Sequence, residues 1–118
     1  MRHNAPSRVE LLQGTLDLLV LRTLLAGPAH GHAIAKHIQR TSEDLLQVET
    51  GSLYPALHRL EAKGWIAPSW ELSNKGKRAR FYRLTPLGRR QLAAAQSKWD
   101  TFSRAMALIL NPVDQEAQ

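Results

Sequence analysis

The sequence predicts a mainly α protein with one small β-hairpin, and three observations carry that expectation. Apolar residues recur at helical spacing in three separate stretches before residue 64. An alternating run from Ile66 to Leu72 is followed by turn residues and a return run from Arg78 to Leu84. The chain then closes with Leu92, Ala95, Trp99, Phe102, Met106, Ile109 and Val113, spaced by three and four residues in alternation, which is a heptad seam.

The 118 residues suffice for one folded unit and are tight for two. An apolar content of 43% is enough for a core. The net charge of +6 and a pI near 10.3 call for an acidic partner, with nucleic acid ahead of an anionic membrane. No cysteine is present, which excludes disulfides and thiolate metal sites. The opening MRHNAPSRVE lacks the apolar core of a signal peptide. The Leu-rich run after it is broken by Gln13, Asp17 and Arg22 and is too short to cross a bilayer. A soluble cytoplasmic protein with no membrane partner is expected.

Residues 1–10 read as a flexible arm. A first helix is expected over Leu11–Ala26, with Thr15 as N-cap and Asp17 in its first turn. Leu16, Leu19 and Leu24 lie on one side, and Leu18, Leu21 and Leu25 carry the apolar surface round the cylinder. A helix apolar nearly all round must be covered on more than one side, so a second subunit is expected against Leu18, Leu21 and Leu25. Gly27-Pro28 stops this helix. A second runs from about Gly31 to Arg40, with Ala33, Ile34 and Ile38 inward.

The third helix turns Leu53, Leu57 and Leu60 inward and Ser52, Pro55, Arg59 and Lys63 outward, with His58 on the flank. Ser52 as N-cap, with Thr50 as the alternative, places Pro55 where its missing N–H costs no bond. Gly64 takes the left-handed position that ends the helix. The outward face is small at its start and cationic further along, which suits a nucleic-acid groove. In the hairpin, SNKGK is turn chemistry, and Lys75, Lys77, Arg78, Arg80 and Arg83 are all basic, with no acid between Ser73 and Leu84. An unmixed cluster at an exposed tip reads as a phosphate clamp. Thr85 and Pro86 suit the N-cap and first position of a long last helix. Its seam of Leu92, Ala95, Trp99, Phe102, Met106 and Ile109 outruns what the preceding unit can cover, so it is expected to dimerise.

Three helices followed by a basic hairpin make a winged helix-turn-helix over 11–84, with a dimerisation helix over 85–111 and a tail over 112–118. Other readings are weaker. His30, His32 and His37 lack the further ligands a closed metal site requires, so no metal or cofactor is expected. No G-x-S-x-G, P-loop or paired-carboxylate pattern occurs, so no catalytic residue is assigned. A protein-binding winged-helix adaptor is the alternative, and it has no need of a uniformly basic wing.

The chain also resembles the PadR family of bacterial transcriptional regulators in its short form with a single C-terminal helix. The matching stretches are LLQGTLDLLVLRTL at 11–24, GPAHGHAIAKHI at 27–38, GSLYPALHRLEAKGWI at 51–66, RARFYRLTPLGRRQL at 78–92 and the helix around Trp99. SLYPAL followed by RLE and Gly64 is the most specific of these. His32 departs from the family, which commonly has tyrosine after HG. The resemblance implies a homodimer that binds a double-stranded DNA operator. It implies groove contacts from Ser52, Tyr54, Pro55 and Arg59, and a wing grip on phosphate or minor groove by Lys75, Lys77 and Arg78. It also implies a C-terminal helix crossing the partner subunit and its first helix. In short relatives that bind drugs, a tryptophan matching Trp99 stacks on flat aromatic ligands, so a planar aromatic effector is expected there. For Tyr54 the residues themselves leave rim packing and phosphate contact equally open.

Overall fold

The computed structural model describes residues 14–72 and 75–112. The element order is α1 (Thr15–Leu25), β1 (Ala29–His30), α2 (Gly31–Thr41), α3 (Thr50–Ala62), β2 (Ile66–Leu72), β3 (Arg78–Leu84) and α4 (Pro86–Leu110). This is a winged helix-turn-helix with a long C-terminal helix. The arm expected over 1–10, the tail beyond Pro112, Val113 of the seam and the turn residues Ser73 and Asn74 lie outside the described residues.

α1 is the hub. Leu16, Val20, Leu21 and Leu24 are buried, and they meet Ile34 and Ile38 of α2, Leu53, Ala56, Leu57 and Leu60 of α3, Ile66 and Tyr82 of the sheet, and Leu92 of α4 in one cluster. The N-cap of this helix lies one residue earlier than expected. Gly14 is the N-cap, at φ 91°, and Thr15 is already helical. A left-handed entry suits glycine, so the signal lay in Gly14 rather than in the hydroxyl beside it.

The start of α3 also differs from expectation. Its N-cap is Glu49, which makes no side-chain capping bond, and the helix already runs from Thr50. The Glu49 carbonyl takes the first bonds, from Ser52 N at 3.0 Å and Leu53 N at 2.9 Å. Counting from Thr50, Pro55 is the sixth helical residue, so its missing N–H does cost a bond. The carbonyl left without that donor belongs to Gly51, which is exposed and open to water. The far end of α3 matches expectation. Gly64 sits at φ 76°. Its N–H reaches Glu61 O at 2.9 Å and Trp65 N reaches Leu60 O at 3.0 Å, the two bonds of a Schellman stop.

The hairpin pairs β2 with β3 from Ile66↔Leu84 to Leu72↔Arg78. The sheet has a third strand that periodicity does not signal: β1 pairs with β3 through Ala29↔Tyr82 and His30↔Phe81, giving the order β1-β3-β2. Two residues are too few to show an alternation.

Thr85 and Pro86 start α4 as expected, and the Thr85 hydroxyl accepts the Gly88 N–H at 3.0 Å. Gly88 lets α4 press on the chain leaving α3: a Cβ there would lie 2.0 Å from the Trp65 carbonyl oxygen. Among α4 residues only Gly88 and Leu92 are buried. At about 1.5 Å per residue, its 25 residues span about 37 Å, and the chain measures 62 × 38 × 21 Å. Trp99, Phe102, Met106 and Ile109 are exposed along that projection.

Candidate nucleic-acid interface

α3 buries Leu53, Ala56, Leu57 and Leu60, which fixes its opposite face outward. Two flanks of that outer face have different neighbours. Towards α1, Arg59 Nη2 donates to Asp17 Oδ1 at 2.9 Å. Asp17 sits in the first turn of α1, so the pair ties the two helices at the surface, with the Arg59 side chain about half exposed. One guanidinium donor is engaged and the others remain for a further partner.

Towards the wing, Tyr54 and His58 line a groove of about 810 Å³. Its other walls are the start of α2, from Pro28 to Ala33, and the wing from Lys75 to Tyr82. Tyr54 is 41% exposed, and its ring rests on Gly31: a Cβ on Gly31 would lie 2.9 Å from the Tyr54 hydroxyl oxygen and 3.0 Å from Cε1. Tyr54 therefore packs at the rim, with an edge still open to solvent. Gly31 is what admits it, and neither residue reveals that contact by its own spacing.

His30 caps α2, its Nδ1 accepting the Ala33 N–H at 3.1 Å, and its ring meets Phe81 edge-on at 5.3 Å. A ring nitrogen that accepts this bond carries no proton. Among the described residues no three His, Cys, Asp or Glu side chains gather as metal ligands would. No helix among them is long and apolar enough to cross a membrane.

The wing cations are not equivalent. Arg80 Nη2 binds Glu61 of α3 at 2.9 and 3.0 Å, and its guanidinium lies over the Tyr82 ring, 5.8 Å from the centroid. Arg80 thus braces the wing against α3, and its Nε is buried without a hydrogen-bond partner. The wing's own strand holds no acid between Ser73 and Leu84, and the partner of Arg80 comes from α3 instead. Burial pushes the Tyr82 phenol above its ordinary value, with Arg80 opposing the shift. Arg78 stands further out, over the Trp70 ring at 5.3 Å from the centroid.

The groove therefore gathers Tyr54, His58, Lys75, Lys77 and Arg78 from the expected set, and adds His30, Gly31, His32 and Phe81. Ser52, Pro55 and Arg59 of α3, and Lys63 at its C-cap, are exposed but do not line it. Lys63 lies over the Trp65 ring at 4.5 Å, beyond the working turns of the helix. Within the expected dimer set, Leu21 (1% exposed) and Leu92 (4%) belong to the chain's own core. Neither presents surface to a partner. Leu18, Leu25, Ala95, Trp99, Phe102, Met106 and Ile109 keep partial or full exposure.

Comparison with known proteins gives the arrangement a family. A transcriptional regulator of Mycobacterium tuberculosis is 30% identical over 95 residues, covering 80% of this chain and 85% of that protein. A PadR-family transcriptional regulator from Eggerthella lenta superposes with a TM-score of 0.72 at 31% identity, covering 86% of each chain. One from Clostridium difficile gives 0.73 at 29% identity, covering 83% of this chain and all of the other. The model of the PadR-like transcriptional regulator family matches residues 20–94. Its members are DNA-binding regulators, generally dimeric, and not enzymes. The chain belongs to the PadR-like family of transcriptional regulators.

Proposed function

We propose that this chain is a repressor that binds an inverted-repeat operator in double-stranded DNA as a homodimer. Residues 11–84 are the DNA-binding unit and 85–111 the dimerisation helix. The observation that carries the proposal is the groove in which the recognition helix, the start of α2 and a basic wing meet. A helix in the major groove with cations beside it supplies base contacts and phosphate neutralisation together.

The dimer rests on α4. Trp99, Phe102, Met106 and Ile109 are 41%, 51%, 38% and 74% exposed at heptad spacing. Aromatic and aliphatic side chains repeated along one stripe are stabilised by a facing helix. A second copy supplies one, and two-fold symmetry then sets two recognition helices about 34 Å apart, one DNA turn. Leu18 and Leu25 on α1, which keep partial exposure, belong to the same proposed interface.

Effector release is the finer part of the proposal. The Trp99 ring leans on Phe102, with centroids 6.1 Å apart and a 46° tilt, and leaves much of its area open. Two such indoles across a dimer axis would hold a planar aromatic molecule by burial and stacking. A ligand bound more tightly in the DNA-incompetent state would then release the operator.

Sedimentation equilibrium at micromolar concentration, followed by a salt titration of DNA binding, tests the proposal. A dimer whose DNA affinity falls steeply with salt is expected. A stable monomer refutes the assembly. A chain that binds no DNA at any salt is the protein-binding adaptor instead.

A further inference from the structure

On the DNA-binding reading above, in which the wing grips the minor groove, we infer that Trp70 is a positioning residue for Arg78, and that the stacked pair makes that grip selective for narrow, A·T-rich sequence beside each half-site.

Cross-strand register places Ile66, Pro68, Trp70 and Leu72 on the same face of the sheet as Leu84, Tyr82, Arg80 and Arg78. At the base of that face Ile66 and Tyr82 are buried under α3, and Arg80 is held by Glu61. At its outer end Trp70 is 58% and Leu72 70% exposed. Neither adds to the core. Arg78 is diagonal to Trp70 across the strands, and its guanidinium covers the indole.

Reach points to the groove. Leu72 lies six residues beyond Ile66, about 20 Å at about 3.3 Å per strand residue. Half a DNA turn, the step from a major groove to the neighbouring minor groove, is about 17 Å. A wing rooted beside a recognition helix in the major groove is therefore long enough to enter the next minor groove.

The chemistry of the tip agrees. Phosphates are well met by compact ammonium groups such as those of Lys75 and Lys77. An indole and a leucine are wasted on phosphate, but they match the apolar sugar walls of a minor groove. Arginine loses hydration more readily than lysine, and narrow A·T tracts concentrate the negative potential that draws it in. Stacked on Trp70, Arg78 is pre-ordered and loses less side-chain entropy on entering.

The test begins with in vitro selection from a pool of random 30-base-pair duplexes. Enrichment of A·T pairs on both outer flanks of the half-sites is expected. In the best selected duplex, changing those flanks to G·C should weaken binding about fivefold to tenfold, on the scale of a poor site position. Inosine·cytosine flanks, which lack the guanine amino group in the minor groove, should bind within about twofold of A·T. Trp70→Ala should abolish most of this discrimination while leaving the salt slope unchanged, and Trp70→Phe should restore it. Arg78→Lys should lose discrimination at constant charge. Equal affinity for A·T and G·C flanks, or discrimination that survives Trp70→Ala, overturns the inference while leaving operator binding intact. A chain that enriches no duplex overturns the DNA-binding reading and this inference with it.

Discussion

Gly88→Ala sets two physical effects against each other. By helix propensity alone, alanine in a helix is favoured over glycine by about 1 kcal/mol. The packing at Gly88 predicts the opposite sign. A Cβ there would lie 2.0 Å from the Trp65 carbonyl oxygen and 2.8 Å from Leu84 Cδ1. Carbon and carbonyl oxygen ordinarily approach no closer than about 3.3 Å, so α4 or residue 65 must move by about 1.3 Å. That carbonyl is pinned: Thr85 N donates to it at 3.1 Å and the Thr85 hydroxyl at 3.0 Å, while the same hydroxyl accepts the Gly88 N–H. Moving it weakens up to three bonds of about 1 kcal/mol each, on top of about 1–3 kcal/mol of overpacking strain. With the propensity gain subtracted, the expected loss when all three bonds go is about 3–5 kcal/mol, or about 12–20 °C in Tm for a chain of this size. Thermal unfolding followed by circular dichroism, with both proteins at one concentration because a dimer's Tm depends on it, gives the sign directly. A variant as stable as the parent, or more stable, would refute the close approach of α4 to residue 65.

The remaining predictions read other contacts. Arg59→Ala should cost less than about 1 kcal/mol of stability, since its pair with Asp17 is at the surface, while reducing operator affinity; titration of both in one buffer series separates the two effects. Lys75→Ala and Lys77→Ala should each reduce the logarithmic salt slope of DNA binding by about one without changing base preference, measured on operator and random duplexes in parallel. The raised Tyr82 phenol favours the protonated folded state, so its contribution is intact below about pH 10, the unfolded value, and is lost as pH rises through the higher folded value. Denaturant titrations across that window should show a decline that Tyr82→Phe flattens. Phe102→Glu should shift the chain to monomer in sedimentation without lowering its helix content, because that side chain is exposed in the single chain.

Most of the architecture was legible because it rests on local signals. Four helices, the hairpin, the Thr85-Pro86 start and the Gly64 stop each follow from spacing or from a residue whose backbone preference is strong. Apart from the two misplaced helix caps, which are local, the misses depend on groups far apart in the chain. Glu61 reaches Arg80 from another element, and Asp17 is 42 residues from Arg59. The apolar circumference of α1 announced that it would be covered, but not which leucines its own chain would cover. Leu21 is fully buried in its own chain's core, whereas Leu18 packs against that core and keeps partial exposure. The interface was legible in its chemistry more than in its layout. Cations and an outward helix face were visible, whereas the contact of Tyr54 with Gly31 required the packing of α2 on α3.

On the proposed function, two copies of this chain place their recognition helices on one face of DNA, one turn apart. Hydroxyl-radical footprinting on the DNA flanking its own gene measures that directly. Two protected half-sites are expected, centred about 10 base pairs apart and related by inverted symmetry. A single protected segment without a symmetric mate, or half-sites at a spacing that is not a whole number of turns, would contradict it.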